Sequence, residues 1–300
     1  MKKSPLHPFA ESLLVWYNDH ARDLPWRQTR DPYLIWLSEI ILQQTRVAQG
    51  LPYFYKLSEA FPTVFDLATA DETTLFRLWQ GLGYYSRARN LHKTAKLIVN
   101  QHQGVFPATY QELLQLPGVG PYTAAAIASF AFGEAVPVVD GNVFRILARY
   151  FGIETDIMHA SARKEFTALA QGLIPAAHAA TFNQAIMEFG SLQCSPVPNC
   201  ADCPLRITCH AYATKRTLDL PIKSKSKAPR NRYFNYFVVV QQNKFLVRIR
   251  TEKDIWQGLW EFVMHETSDV VDAKEAFGPY GDWLDLPITE LKAPAKHLLS

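Results

Sequence analysis

The sequence predicts a mostly α-helical domain over residues 1–215, a basic linker over 216–232 and a smaller α+β domain over 233–300. Three observations carry this. Apolar residues recur at helical spacing from Pro8 to Gln193, with turn signals between the runs. All four cysteines are compressed between Cys194 and Cys209, and beyond Lys215 the text turns polar and basic before apolar, β-branched and aromatic strand patterns begin. Three hundred residues at 48% hydrophobic content suffice for about two cored domains. The net charge of +3 is too small to identify a nucleic-acid partner by itself, so local clustering must do so. The apolar run from Leu13 to Tyr17 is too short for a signal peptide, and nothing approaches the roughly twenty apolar residues of a membrane span. A soluble, cytoplasmic protein is expected. Cysteines gathered in one short stretch staple a secreted fold poorly but hold a metal centre well.

Residues 8–22 form the first amphipathic helix (Phe9, Leu13, Leu14, Trp16, Tyr17), stopped by Asp23, Leu24 and Pro25. Trp26 and Arg27 follow, an aromatic and a guanidinium suited either to a nucleobase or to packing in a helix junction. The next helix, PYLIWLSEIILQQTRV from Pro32, puts Trp36, Glu39, Gln43 and Arg46 on one face and Leu37, Ile40 and Ile41 in the core. Glu39 is thereby wedged among large apolar side chains, which raises a carboxyl pKa toward neutrality as a general acid requires; the alternative is a half-exposed glutamate paired with Arg46. Helices continue through residues 51–102, broken at Phe61-Pro62 and at Gly81-Leu82-Gly83. The last of them places Arg87, Arg89 and Lys93 on one side behind two tyrosines, which reads as a nucleic-acid surface or as a solvated basic face.

The stretch LPGVGPYTAAAI, Leu116 to Ile127, is a glycine turn feeding a helix N-terminus through Pro121. Such a terminus attracts a phosphate; an ordinary inter-helix turn is the other reading. In PVVDGNVFRILARY, Asp140 stands where an N-cap belongs, and it reads equally as cap and as catalytic carboxylate, roles that can coexist. Two helices over residues 160–193 deliver the chain to a C-x5-C-x2-C-x5-C cluster of Cys194, Cys200, Cys203 and Cys209, which fits tetrahedral zinc or an iron–sulfur cluster. The linker that follows carries seven basic residues against Asp219 between Lys215 and Arg232. YFNYFVVV, NKFLVRIR and LWEFVMHE then read as strands, and DVVDAKEAFGPYG as a helix; this second domain is expected to be incomplete where the sequence stops at Ser300.

WLSEIILQQT, GLGYYSRARNLHK, LPGVGPYTAAAI, VVDGNV, FNQA and the cysteine cluster, in that order, resemble the adenine DNA glycosylases of the helix-hairpin-helix superfamily, densely over residues 5–215 and in outline beyond. The resemblance implies a two-lobed fold, with a six-helix lobe over 31–135 and an iron–sulfur lobe built from 1–30 and 136–215. It implies monomeric action on double-stranded DNA, removing adenine mispaired with 8-oxoguanine or guanine by hydrolysis after the nucleoside is flipped out. Glu39 would protonate the departing base and Asp140 would stabilise the oxocarbenium-like sugar, with Tyr122 and Asn142 assisting. Trp26, Arg27, Leu42, Val47, Gln184 and Met187 would line the adenine pocket, Gln44 and Tyr84 would wedge into the base stack, and Gly118, Val119 and Gly120 would grip the DNA backbone. The four cysteines would hold a 4Fe–4S cluster. The spacing departs from the family's: five residues, where six are usual, separate the first two cysteines. The second domain resembles a Nudix-like module that inspects 8-oxoguanine, whose reading motif begins at His297, Leu298, Leu299 and Ser300. Two rivals remain. An endonuclease III-like lyase needs a lysine where Tyr122 stands, and a non-catalytic, metal-bound DNA-binding protein needs only the hairpin and the linker.

Overall fold

The computed structural model describes residues 6–225, 230–252, 254, 256–280, 292 and 295, and divides into two compact units, 1–225 and 226–300. The first unit is helical. α1 (Pro8–His20) is followed by a short 3-10 turn at Pro25–Arg27, then α2 (Pro32–Leu42), α3 (Val47–Ala60), α4 (Val64–Thr69), α5 (Glu72–Trp79), α6 (Ser86–His102), α7 (Tyr110–Leu113) and α8 (Pro121–Phe132). α9 (Gly141–Phe151), α10 (Ala160–Leu173), α11 (Ala179–Leu192) and α12 (His210–Ala213) complete it. Sequence chemistry sets several of the boundaries: Asp31, Thr63, Asp71, Thr109 and Asp140 cap the helices they precede, accepting backbone N–H groups that have no partner inside the helix.

Two hydrophobic cores divide this unit. One is built from α2 to α8, with Trp36 and Trp79 fully buried at its centre; the other joins α1 to α9, α10 and α11 around Phe9, Phe166, Phe182 and Phe189. Leu24 and Trp26 pack into the first core, so the segment before residue 31 serves both lobes. The crossing at Val136–Val139 is held by Asn183 of α11, wholly buried. Its Oδ1 accepts the Val138 amide at 3.0 Å, and its Nδ2 donates to the Val136 carbonyl and to Ser129 Oγ, each at 2.9 Å.

Two expectations are corrected. The helix that begins at Pro32 ends at Leu42 and does not run on to Val47: Gln44 takes a left-handed φ of 56°, and Arg46 becomes the residue that opens α3. Glu39 and Arg46 therefore do not share a face, and no ion pair of Glu39 is formed among the described residues. Arg87 is not part of a basic surface either. It is 8% exposed, because its guanidinium turns inward to carbonyls at the end of α2 that lack helical partners.

The second unit holds a three-stranded antiparallel sheet in the order β1 (Tyr233–Phe237), β5 (Trp260–Thr267), β4 (Val247–Ile249), beside a two-stranded hairpin of β2 (Val240–Gln241) and β3 (Lys244–Phe245) and a helix, α13 (Ala273–Phe277). Gln242 and Asn243 turn the hairpin with positive φ at both positions, the geometry of a type I′ turn. The motif expected at His297–Ser300 lies outside the described residues. No helix among the described residues is long and apolar enough to cross a membrane.

Candidate active site

The loop before α8 is fixed by its glycines. Val119 and Leu116 are buried and joined by a backbone bond of 3.1 Å, and Thr94 Oγ1 donates to the Pro117 carbonyl at 2.7 Å. Gly118 adopts φ +74°, and a Cβ there would stand 2.7 Å from Cβ of Asn90, so both conformation and space demand glycine. Gly120 precedes Pro121 and has nothing within 4 Å of where a side chain would be. Gly118 and Gly120 are exposed, so the loop presents backbone at the positive end of a 12-residue helix.

Tyr122 follows one residue into α8. Its hydroxyl donates to the Glu39 carboxylate on α2 and lies 3.5 Å from Sδ of Met187 on α11. Glu39 is 6% exposed. Burial pushes its carboxyl up from 4.5 to about 7; the charge of nearby Asp140 adds to this, while the Tyr122 bond and Arg27 oppose it. Asp140 arrives from the other lobe. As the cap of α9 its Oδ1 accepts the Val143 amide at 2.8 Å, and its Oδ2 accepts Asn142 Nδ2 at 2.9 Å. Asn142 Oδ1 in turn accepts Arg145 Nη2 at 2.8 Å. Burial raises the Asp140 carboxyl too, but its cap bonds pull against that. Asp140 is thus both cap and partner of a buried acid, as its position allowed.

The remaining expected residues differ in exposure and in the partners they have. Leu42, Val47, Met187 and Tyr84 are half-buried, and Gln44 is exposed. Gln184 accepts the Tyr17 hydroxyl at 2.9 Å. Trp26 is packed edge-on against Phe54, with ring centroids 5.2 Å apart. Arg27 is engaged with Glu188 at 2.8 Å, yet stays close enough to act on the charge of Glu39. Glu188 escaped sequence reasoning. It is 1% exposed on its side chain and bound by Arg22 at 2.6 Å as well as by Arg27. Burial works to raise its carboxyl, but the two guanidinium bonds win and hold it at about 2. Its signal was available: like Glu39, it is one acid within an apolar helix, AATFNQAIMEFG. Asn183, Arg87 and Arg145 were also missed as organisers, because most of what they bind is backbone carbonyl or amide.

The four cysteines stand around one cavity, together with Arg149, Gln193 and Tyr212. Arg149, 3% exposed, binds the Ser195 carbonyl at 2.7 Å and the Pro196 carbonyl at 2.9 Å, and reaches Cys194 Sγ at 3.4 Å. Arg145 Nε binds the Cys194 carbonyl at 2.8 Å. The shortened loop between the first two cysteines is therefore tied down by two arginines of α9. Burial pushes the Cys203 thiol up to about 11, a cost that a bound cation removes. Among the described residues, no group of three or more His, Cys, Asp or Glu converges as it would on a single metal ion. Four thiols around one cavity are a donor set that fits zinc or an iron–sulfur cluster, and the buried Arg149 guanidinium beside Cys194 favours their thiolate forms.

Residues 37–172 match the HhH-GPD superfamily of base excision DNA repair proteins. The chain is 37% identical over 264 residues to an adenine DNA glycosylase of Buchnera aphidicola subsp. Schizaphis graminum, covering 87% of this chain and 76% of that one. It is 45% identical over 213 residues to the adenine DNA glycosylase of Homo sapiens, covering 68% of this chain and 39% of that one. Among solved structures it is similar to a thermostable thymine-DNA glycosylase, with a TM-score of 0.63, 31% identity, and 69% and 95% of the two chains covered. The chain therefore belongs to the adenine DNA glycosylase family, within the HhH-GPD superfamily, and is a DNA glycosylase of base excision repair.

Proposed function

We propose that the chain hydrolyses the N-glycosidic bond of adenine mispaired with 8-oxoguanine or guanine in double-stranded DNA, without strand cleavage. The observation that carries this reading is Glu39, buried, protonated up to about pH 7, bonded to Tyr122 and close to Asp140 beside the exposed glycine loop. Adenine is a poor leaving group as an anion. Glu39 gives its proton to N7, so the bond between sugar and base breaks with neutral adenine departing. The sugar keeps the positive charge, and Asp140, oriented by Asn142 and the Val143 amide, stabilises it until water adds. Each carboxyl serves one charge, and their different surroundings set the division of labour.

Gly118, Val119 and Gly120 hold the phosphate backbone, Gln44 and Tyr84 enter the stack, and Leu42, Val47, Met187, Gln184, Arg27 and Trp26 shape the pocket for the extruded base. Cys194, Cys200, Cys203 and Cys209 hold a 4Fe–4S cluster. Its contribution is to organise the chain around it for DNA, with no part in bond cleavage. Tyr122 stands where a lyase needs an amine nucleophile, which supports monofunctional hydrolysis.

Single-turnover reactions on duplexes carrying adenine opposite 8-oxoguanine, guanine or thymine, with the alkaline cleavage step run separately, test the reading. Base release opposite 8-oxoguanine and guanine, with strand breaks only after alkali, is expected. Strand breaks before alkali, or a covalent adduct trapped with borohydride at high yield, overturn it.

A further inference from the structure

Arg87 lies near the start of α6, remote in sequence from the proposed acid, and its guanidinium closes around two separate loops. Nη1 donates to the carbonyls of Ile40, Ile41 and Gln43 at 3.1, 2.8 and 2.6 Å and to Thr45 Oγ1 at 3.3 Å; Nη2 donates to the carbonyls of Leu82 and Gly83 at 3.1 and 3.3 Å. The same guanidinium lies 5.2 Å from the Trp79 ring centre and 5.7 Å from that of Tyr84. The first set of bonds brackets Gln44 from both sides; the second set anchors the two residues before Tyr84, and the ring contact reaches Tyr84 itself.

Gln44 and Tyr84 share a further property. Both have left-handed backbone, with φ of 56° and 47°, although neither is glycine. Such conformations persist only where the surroundings over-determine them. Here one buried cation supplies much of that determination for both residues. A lysine could not replace it, because an ammonium lacks the planar fork that reaches several carbonyls at once.

We propose that Arg87 is a positioning residue for opening the duplex, holding Gln44 and Tyr84 at fixed separation and angle so that both enter the base stack together. The proposal rests on the reading of Gln44 and Tyr84 as wedges. It gives the energy of unstacking a rigid tool: two side chains on independently mobile loops would yield to the stack before the stack yielded to them.

The test compares single-turnover base release on two duplexes, one fully paired around the 8-oxoguanine:adenine site and one with unpaired positions on both sides of the target, where the stack is already open. The rate ratio, paired over open, isolates opening from chemistry. Arg87→Lys is expected to lower this ratio about ten- to a hundred-fold. Thr45→Val, which removes one side-chain acceptor and leaves the buried cation in place, is expected to lower it less, and covers the case in which Arg87→Lys does not fold. Equal slowing on both duplexes by these variants assigns Arg87 to stability alone and overturns the proposal. A Gln44→Ala, Tyr84→Ala double variant is the control. Where it lowers the ratio and Arg87→Lys adds nothing on top of it, the proposal stands. Where it leaves the ratio at the wild-type value, the wedge reading itself falls, which is a distinct failure.

Discussion

Replacing Glu39 with Gln tests the proposed chemistry and the physics behind it in one variant. The side chain is nearly isosteric and 6% exposed, so packing around Trp36 and Ile40 is kept while the titratable proton is lost. The folded carboxyl titrates at about 7 against an ordinary value of 4.5. A difference of that size corresponds to about 3 kcal/mol. The sign follows from the direction. Below pH 4.5 the group is protonated whether folded or unfolded and costs nothing; as pH rises toward 7 the unfolded chain gains an ionised carboxyl that the folded site resists, so stability falls. Glu39→Gln should therefore match the wild type near pH 4.5 and exceed it by up to about 3 kcal/mol at pH 8. Base release should fall by about 100- to 10,000-fold, with DNA affinity largely retained. In the wild type, single-turnover base release should decline about tenfold per pH unit above 7, as the protonated acid disappears. Thermal melts at pH 5 and pH 8 and a pH profile of the chemical step measure all three. A variant that still releases adenine at near wild-type rate, or a wild-type rate flat to pH 9, refutes the role assigned to this residue.

Asp140→Asn keeps a good N-cap, so α9 should melt normally, within about 1 kcal/mol of wild type, while base release drops by two or more orders of magnitude; a rate matched to wild type in single turnover would show that the carboxylate charge is not used. Glu188→Gln leaves Arg22 and Arg27 facing a neutral amide and should cost about 3 kcal/mol at pH 7. Because the Glu188 carboxyl is held at about 2, its contribution is present above pH 4.5 and is lost as pH falls toward 2. The melting temperatures of wild type and variant should accordingly converge over that range, and parallel curves would contradict the pairing. Gly118→Ala meets Asn90 in a left-handed backbone, and should weaken duplex binding in a filter or anisotropy assay while Glu39 chemistry on bound DNA survives; the strain is about 1–2 kcal/mol.

Much of the site was legible in the sequence because it is made of local exceptions. A glutamate amid Ile, Leu and Trp, an Asp before Gly-Asn, two glycines ahead of a proline, and four cysteines in one stretch each break the pattern around them. Most of what could not be read lies in backbone acceptors brought together only by folding. The end of α2 at Leu42 has no Gly or Pro to announce it, since Gln44 takes the left-handed turn. Arg87 looks like one cation of a basic face until the helix end that it satisfies is known. Arg149 is similarly silent, for its partners are the Leu220, Ser195 and Pro196 carbonyls. An acid set among apolar residues leaves a signal in the sequence, followed at Glu39 and missed at Glu188; cations that serve distant carbonyls leave none.

Glu39 and Asp140 belong to helices rooted in separate hydrophobic cores, joined across a strap that Asn183 pins down. Where the two halves open separately on gradual heating, whichever loosens first takes its carboxyl with it, and turnover stops although the other half is intact. Residual activity after heat treatment therefore tracks the weaker half alone, whereas calorimetry registers both, and the gap between the two curves measures how unevenly stability is shared.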